Sequence, residues 1–311
     1  MSDPNEDGIA RLLRETGPRP AVPPERVRRV RDNVRAHWRR SLATRRRTRF
    51  FGALAAAATV VLVITAWWGL GPREPAAVVE RGVATAGDRL TSGLRGGAVI
   101  ATGEGERLAI RTASRHSVRL DAGSRVQLLS GRALALQAGS VYVDSGSAAA
   151  RAEAALEIRT PFGRIEEVGT QFAARLADGA LEVRVREGRV DLSGHGAPLT
   201  VAAGQALRVD RSGAVPLDPE PASGSGWDWV QEAAPRMAIE GRSLSAFLDW
   251  YARERGVSVR FASADAQAGA ARTILRGSID AMSLDEALSS VLATSGVRAR
   301  LSGSELLVEG R

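Results

Sequence analysis

The residues of this chain that could support acid–base or metal chemistry are few and widely spaced. None of the three histidines, His37, His116 and His195, has a carboxylate or a second histidine at the spacing of a metal site. His195 lies in SGHGAP, whose composition predicts an exposed turn. The adjacent residues Glu166 and Glu167 are expected on a strand, where neighbouring side chains point to opposite faces. We therefore predict no catalytic residue and no metal site.

Motifs for phosphate, nucleotide or acyl chemistry are also missing from the sequence. It contains no G-x-S-x-G, no P-loop and no dinucleotide-binding fingerprint. It has no cysteine, which excludes disulfides, thiol catalysis and cysteine-bound zinc. We expect a protein that is not an enzyme and that uses no cofactor.

The net charge of +8 belongs entirely to the N-terminal segment. Residues 1–50 contain 14 arginines and 6 acidic residues, whereas the remaining chain contains 29 residues of each sign. A nucleic-acid-binding domain would spread its basic charge over a folded face. We therefore expect no direct contact with nucleic acid.

An uncharged stretch of 20 residues, 51–70, follows this basic segment. At about 1.5 Å per residue it matches a hydrocarbon layer of roughly 30 Å, and aromatic residues lie at both of its ends. A buried helix would normally carry a polar face, and a cleaved signal peptide would follow a much shorter leader. We predict one transmembrane helix, with residues 1–50 in the cytoplasm because arginines precede the span, and with residues 72–311 outside.

The cytoplasmic segment is predicted to be helical from about Glu25. Val27, Val30, Val34 and Trp38 are spaced at three and four positions and therefore share one face, with arginines around them. Two interpretations remain open. The segment either sets orientation and contacts anionic lipid, or binds a partner through this apolar stripe. A stripe is not needed for orientation, so partner binding is favoured.

Residues 80–212 are predicted to be mainly β. Short alternating apolar runs recur between glycines, and a similar unit surrounds Gly123, Gly139, Gly188 and Gly204. The first two glycines are 16 positions apart, and so are the last two. Strand, tight turn and strand at a nearly constant step predict a solenoid-like stack of short strands rather than a sandwich.

The rest of the chain is predicted to be a linker followed by a duplicated domain. Residues 213–234 begin with a proline-rich and Ser-Gly-rich stretch that is typical of linkers. Within residues 235–311, SLSAFLDWYARERGVSVRF and SLDEALSSVLATSGVRARL align at an offset of 40 residues. Each copy predicts a strand, a helix, a glycine and a strand, and ELLVEG adds a last strand. We expect a small α+β domain of two β-α-β units.

Five segments of the β region follow one another in order: SVRLDAGSRVQL, RALALQAGSVYVD, IRTPFGRIEEVGTQFAAR, EVRVREGRVDL and LTVAAGQALRV. In these segments the β region resembles the FecR family, the iron-dicitrate-sensor type of transmembrane sigma-factor regulator. The most specific residues are Thr160, Pro161, Gly163, Gly169, Thr170 and Phe172. In this resemblance the proline fixes the start of a strand, the glycines allow tight turns, and the last two residues begin a buried strand. These roles are structural.

The C-terminal duplication is similar to the small secretin/TonB N-terminal signalling domain. Together the resemblances imply an anti-sigma regulator in the bacterial inner membrane that relays a periplasmic signal to an extracytoplasmic-function sigma factor. The implied partners are that sigma factor, the signalling domain of an envelope or outer-membrane receptor, and the lipid bilayer. The family's usual N-terminal segment is longer and carries several tryptophans, whereas this one has only Trp38. The alternative is a membrane-anchored periplasmic scaffold without a sigma-factor partner.

Overall fold

The computed structural model describes most of the chain beyond residue 74. The described residues are 75–310, apart from 83–84, 87–88, 91–92, 147–154, 195 and 281, together with Glu25, Arg28 and Arg31. Glu74–Arg311 form one compact unit, and Met1–Arg73 belong to another. The three described residues of the N-terminal unit are helical and exposed, in agreement with the helix predicted from about Glu25.

The apolar stripe and the predicted span fall outside the described residues. This applies to Val27, Val30, Val34 and Trp38 and to residues 51–70. Within the part of the chain that the structure describes, no helix is both long and apolar enough to cross a membrane. The stripe and the span therefore stay predictions.

Thirteen strands form one large sheet, which confirms the prediction of a mainly β region. They are β1 (Ala77–Arg81), β4 (Gly93–Leu94), β5 (Val99–Ala101), β6 (Leu108–Thr112), β7 (Ser117–Leu120), β8 (Arg125–Ser130), β9 (Ala133–Asp144), β10 (Glu157–Thr160), β11 (Gly163–Ala177), β12 (Ala180–Ser193), β13 (Leu199–Ala202), β14 (Ala206–Asp210) and β15 (Gly213–Leu217). A separate pair is formed by β2 (Thr85–Ala86) and β3 (Arg89–Leu90). In the large sheet β9 and β10 run parallel, and the other described pairs are antiparallel.

Three long strands, β9, β11 and β12, are each shared by two half-sheets. Residues 133–138 of β9 pair with β8 or β10, whereas residues 139–144 pair with β7 or β11. In β12, residues 181–184 pair with β14 and residues 189–192 pair with β13. Half-sheet 1 therefore contains β7, β14 and the strand halves between them, and half-sheet 2 contains β8, β10, β13 and the other halves.

Glycines mark the places where the chain passes from one half-sheet to the other. They are Gly123, Gly139, Gly169, Gly188 and Gly204, with φ between 63° and 80°, a conformation that glycine adopts without a steric penalty. Four of them are the glycines of the repeated sequence unit, so the repeat marks the corners of the fold. The predicted stack of short strands is wrong in its strand length. Neighbours are antiparallel, and 12- to 15-residue strands continue through the corners.

One hydrophobic core holds the two half-sheets together. Leu128 and Ile165 of half-sheet 2 lie in the same buried cluster as Val143 and Phe172 of half-sheet 1. Fully burying a side chain of this size contributes about 1.5–3 kcal/mol. Alternate residues of half-sheet 1 point to its other face, which is covered by the chain after Leu217.

The predicted linker, residues 213–234, packs against the large sheet. It consists of β15, a 3-10 turn (Ser225–Trp227) and helix α1 (Asp228–Ala233). Pro216 is accommodated because β15 is an edge strand. Trp227 and Val230 pack against Tyr142 of β9, and the two aromatic rings meet edge to face at 6.1 Å. The composition of this segment predicted a linker. In the structure two of its side chains, Trp227 and Val230, are buried against the sheet.

Residues 235–310, here called the C-terminal module, form a small α+β structure. Its elements are α2 (Leu244–Arg255), β16 (Ser258–Phe261), α3 (Ala264–Arg272), α4 (Leu284–Ser295), β17 (Val297–Ser302) and β18 (Glu305–Gly310). The strand order is β16-β18-β17, with β16 parallel and β17 antiparallel to β18. A second hydrophobic cluster joins the helices to the sheet and includes Phe247, Leu248, Val291, Leu306 and Val308.

The duplication is present as helix, glycine and strand, twice. Gly256 ends α2 with φ of 72°, and Gly296 ends α4 with φ of 69°. Ser283 and Glu286 form the predicted capping box at the start of α4. The sequence therefore identified the repeated local unit correctly.

The strands predicted before α2 and α4 do not occur in the described residues. Those two segments meet each other instead, through an isolated bridge between Ser243 and Ile274 and a hydrogen bond of 2.8 Å from Leu275 N to the Arg242 carbonyl oxygen. Helix α3 was not predicted, because a run of alanines presents no apolar stripe. The β-α-β description of each copy is corrected accordingly.

Candidate functional site

The signature residues begin in a two-residue hairpin turn. Pro161 and Phe162 connect β10 to β11, and Thr160 lies opposite Gly163. The Thr160 hydroxyl accepts a hydrogen bond from Phe162 N at 3.1 Å and donates one to the Gly163 carbonyl oxygen at 2.9 Å. Gly163 has φ of 127°, and a Cβ there would lie 2.5 Å from the Ser193 carbonyl oxygen. Pro161 therefore lies in the turn before the strand, and only glycine fits at position 163.

The second part of the signature forms a corner of the sheet. Gly169 has φ of 63°, and the register between β11 and β12 shifts around it. Thr170 and Phe172 follow and are buried, with Phe172 in the main core. A Cβ on Gly188, in the neighbouring strand, would lie 2.4 Å from the Gly169 carbonyl oxygen. The two glycines therefore allow two strands to bend in contact with each other.

Glu167 is the centre of a buried hydrogen-bond network at this corner. Its Oε1 lies 2.7 Å from His116 Nε2, and the side chains are 4% and 0% exposed. Oε1 also accepts from Leu156 N at 3.4 Å, and Oε2 accepts from Gly169 N at 2.9 Å and from the Thr170 hydroxyl at 3.3 Å. One carboxylate thus connects the β6–β7 turn, the chain before β10 and the signature corner.

These contacts determine the protonation of Glu167. Burial opposes ionisation, but the hydrogen bond and charge of His116, with the backbone N–H groups of Leu156 and Gly169, hold the pKa of Glu167 below its ordinary value. An ionised carboxylate only accepts hydrogen bonds, so His116 Nε2 carries a hydrogen. With its acceptor positions filled, this carboxylate holds three segments together and presents no free base.

Sequence reasoning did not find this pair, because 51 positions separate the partners. Glu166 and Glu167 do point to opposite faces, as expected, and Glu166 contacts Arg164 at 3.2 Å. One signal was present: Glu167 is two positions from Ile165 and therefore shares its core-facing side. Throughout the described residues no three His, Cys, Asp or Glu side chains are placed to hold a metal ion.

A second polar cluster lies where the C-terminal module and α1 meet half-sheet 1. We call it the docking seam and define it by ten residues: Arg119, Tyr142, Asp144, Gln171 and Arg186 of the sheet, and Trp227, Val230, Gln231, Arg253 and Glu254 of the covering chain.

The centre of the docking seam is the ion pair between Arg119 and Glu254. Two parallel hydrogen bonds of 2.6 and 2.7 Å join them, and the side chains are 2% and 8% exposed. Arg119 also donates to the Val230 carbonyl oxygen at 2.9 Å and lies 5.1 Å from the centre of the Tyr142 ring. Burial alone would lower the pKa of Arg119, but the adjacent Glu254 carboxylate raises it. Arg119 therefore remains charged although it is buried.

A second ion pair, Arg253 with Asp144, lies beside the first. Arg253 Nε lies 3.0 Å from Asp144 Oδ2, and its other nitrogens reach the Gly146 carbonyl oxygen at 2.7 Å and Glu187 at 3.0 Å. Gln171 Nε2 donates to Asp144 at 3.2 Å. Burial would raise the pKa of Asp144, but the hydrogen bonds and charge of Arg253 lower it. The carboxylate is therefore ionised over the physiological pH range.

Arg186 connects the end of α2 to the chain before α1. Its Nε donates to the Ala222 carbonyl oxygen at 2.5 Å, its Nη1 donates to the Glu254 carbonyl oxygen at 3.1 Å, and its guanidinium lies 5.2 Å from the Trp227 ring centre. A Cβ on Gly256 would lie 2.1 Å from the Ala222 oxygen and 2.3 Å from Arg186 Nε. Glycine is therefore needed here both for its φ and for space.

The signature corner and the sheet side of the docking seam lie within a part of the chain that matches a known protein family. Residues 98–191 match the family model described as FecR protein. They contain the signature corner, the His116–Glu167 pair and the sheet side of the docking seam. The resemblance inferred from the sequence is therefore confirmed for these residues.

Two crystal structures of a candidate anti-sigma factor from Parabacteroides distasonis ATCC 8503, at 2.50 and 1.65 Å resolution, are similar to this chain. Each of the two structures is 16% identical in sequence to this chain. The aligned region covers 69% of this chain and 99% of the crystallised chain, with a TM-score of 0.36. No curated protein matches this sequence significantly.

Proposed function

We propose that this chain, which carries a FecR domain over residues 98–191, is a regulator that controls a sigma factor through protein–protein contacts. The family match is the observation that carries the proposal. The matched residues form hydrogen-bonded corners and the sheet side of the docking seam, which suits a protein that acts through protein–protein contacts. The regulator is proposed to be an anti-sigma factor and not an enzyme.

The proposed location is the inner membrane of a bacterium. Residues 51–70 would span the bilayer once, and the arginines of residues 1–50 would keep that segment in the cytoplasm. The FecR domain and the C-terminal module would then lie in the periplasm. Support for this topology comes from the charge asymmetry and the length of the uncharged stretch.

The cytoplasmic contact is proposed to use the stripe of Val27, Val30, Val34 and Trp38. A short helix is marginally stable alone in water, so it would become ordered on a partner that buries the stripe. The proposed partner is an extracytoplasmic-function sigma factor. On the periplasmic side the proposed partner is the signalling domain of an envelope or outer-membrane receptor, which the C-terminal module resembles in its repeated sequence.

The test is capture of a sigma factor by the full-length chain in detergent. The probe is an extracytoplasmic-function sigma factor from the bacterium that supplies this chain. We compare the unchanged chain with Trp38→Ala and with the double change Arg28→Gln and Arg31→Gln, whose side chains are exposed. Truncating a tryptophan at the centre of an interface typically costs about 2 kcal/mol, or roughly 30-fold in affinity.

We expect Trp38→Ala to weaken capture by about 30-fold and the arginine changes to be tolerated, with a modest loss at low salt. Membrane-surface binding would give the reverse order, because arginine number would then dominate. If the unchanged chain retains no sigma factor, the regulator hypothesis is rejected, and the membrane-anchored periplasmic scaffold becomes the better explanation.

A further inference from the structure

We propose that the docking seam is a polar latch that opens, so that the C-terminal module leaves the FecR domain while both keep their own cores. This inference goes beyond the proposed function, since it concerns two arrangements of one chain and does not depend on which partner the protein regulates. Four observations support it.

The first observation is that the two bodies have separate hydrophobic cores. The main cluster contains residues between Ala77 and Val209, and the cluster of the C-terminal module contains residues between Ile239 and Val308. The two clusters have no residue in common. A small third cluster joins Tyr142 to Trp227 and Val230, but both of these partners precede the module. Separation therefore divides neither main core.

The second observation is the chemistry of the contact itself. Between the module and the sheet, the contact is made largely by charged and amide side chains: Arg119 with Glu254, Asp144 with Arg253, and Gln171 with the Arg253 carbonyl oxygen. When these groups separate, water hydrates them, and this hydration offsets the hydrogen bonds and ion pairs that are lost. Separation of an apolar interface exposes apolar surface to water and has no such favourable hydration. A buried ion pair holds its partners firmly when dry and adds little net stability.

The third observation is that the docked state leaves hydrogen-bonding groups unsatisfied. Among the described residues, three buried nitrogen atoms of the docking seam have no hydrogen-bond partner: Arg119 Nε, Arg186 Nη2 and Gln231 Nε2. Each such atom carries a desolvation penalty that ends when water reaches it. A cleft of about 720 Å³, lined partly by Gln171, Arg186 and Arg253, brings solvent to the edge of the seam.

The fourth observation is a place for the hinge. Helix α1 stays on the FecR domain through Trp227 and Val230. Residues 235–238, between α1 and Ile239 of the module's core, have neither helix nor strand. Arg81 Nη1 donates to the Ala234 carbonyl oxygen at 2.9 Å and fixes the sheet side of this segment. The module would therefore swing about residues 235–238.

The experiment measures the distance between the two bodies in the full-length chain in detergent. Because the chain has no cysteine, Ala203→Cys on the large sheet and Ser289→Cys on α4, both at exposed positions, accept two spin labels specifically. Double electron–electron resonance then gives the distribution of distances. In the labelled chain without further changes we expect one narrow main distance, with a minor longer component.

Three substitutions test the role of the buried charge. Glu254→Gln leaves Arg119 buried without its counter-ion, so we expect the ratio of closed to open populations to fall about tenfold or more. The double change Arg119→Met and Glu254→Met removes both charges, and we expect the narrow closed distance to return. Arg260→Gln, which removes the exposed pair with Glu305 on the same module, is the matched control and should change nothing.

The latch is rejected if Glu254→Gln leaves the distribution unchanged, or if the double methionine variant opens as far as the single one. Amide hydrogen exchange at Leu306 and Val308 distinguishes opening from unfolding. Protection there must persist in Glu254→Gln, and its loss also rejects the latch. If that variant does not fold, Arg253→Gln replaces it. This substitution removes the rim pair with Asp144 and must open a smaller fraction, and an unchanged distribution counts against the proposal.

Discussion

The two copies of the helix–glycine–strand unit share a local structure but differ in their surroundings. Both helices begin at a serine cap, Ser243 or Ser283, and both end at a left-handed glycine, Gly256 or Gly296. In the last turn of α2 Glu254 is buried and its two arginine neighbours are half-buried, whereas two of the three matching residues of α4, Ala293 and Thr294, are exposed. The contrast shows that one local pattern can serve both a docked and a free position.

The difference arises from three positions in the last turn. The first copy has Arg253, Glu254 and Arg255 where the second has Ala, Thr and Ser. These three charged residues reach Asp144, Arg119 and Gln231. The repeated serine, leucine and glycine positions build the fold of each copy, and the positions that differ determine which copy docks.

The largest expected effect comes from substituting the two glycines. In Gly256→Ala a positive φ costs about 1–2 kcal/mol, and contact with Ala222 and Arg186 adds about 1–3 kcal/mol. In Gly296→Ala only the φ cost applies, because a Cβ there meets nothing within 4 Å. We expect losses in the free energy of unfolding of about 3 and about 1 kcal/mol, measured by urea denaturation of residues 75–311. Equal losses would contradict the role of the seam.

The same contrast can be tested within the repeated 16-residue unit of the large sheet. Gly188 and Gly204 are equivalent in the 16-residue unit and have φ of 75° and 78°. A Cβ on Gly188 would lie 2.4 Å from the Gly169 carbonyl oxygen, whereas one on Gly204 has open space. We expect Gly188→Ala to lower the free energy of unfolding by about 2–3 kcal/mol and Gly204→Ala by about 1 kcal/mol. The losses are measured by thermal melting of both variants and the unchanged chain. A larger loss of stability for Gly204→Ala than for Gly188→Ala would reject the packing argument.

Acid should weaken the docked copy through Asp144. Its pKa is lowered in the folded state, so its contribution to stability is complete above its ordinary pKa of 3.8 and is lost as the pH falls through the folded value. We expect the difference in melting temperature between the unchanged chain and Asp144→Asn to be constant above about pH 5 and to shrink below pH 3.8. Melting curves between pH 2.5 and about pH 7 measure this difference. If the difference in melting temperature became larger in acid, the lowered pKa of Asp144 in the folded state would be contradicted.

The smallest effect is expected at the serine caps, where the two copies should behave alike. Ser243 and Ser283 each accept a hydrogen bond from the third residue of their helix. Removing such a cap costs about 1 kcal/mol irrespective of what the far end of the helix touches. We therefore expect Ser243→Ala and Ser283→Ala to lower the free energy of unfolding by similar amounts in urea. A loss about 2 kcal/mol larger for one of them would show that capping is coupled to docking.

Sequence reasoning succeeded where the controlling interactions are local. Gly123, Gly139, Gly188 and Gly204 could be recognised because left-handed corners require glycine, and Ser283 with Glu286 because a capping box lies within four residues. It failed for α3, where alanines give no pattern, and for the segments before α2 and α4, which contain strand-like residues but pair only with each other.

The sequence by itself determined the FecR resemblance, the mainly β character, the corner glycines and the repeated unit, because each rests on residues that are close along the chain. Only the tertiary structure decided that His116 meets Glu167, that Arg253 meets Asp144 and that Arg119 meets Glu254. These partners are 51, 109 and 135 positions apart. In each pair, strand register or docking brought together two buried or half-buried polar side chains that are far apart in the sequence. Burial then made each pairing necessary, because a polar or charged group out of water needs a hydrogen-bond partner or a counter-ion.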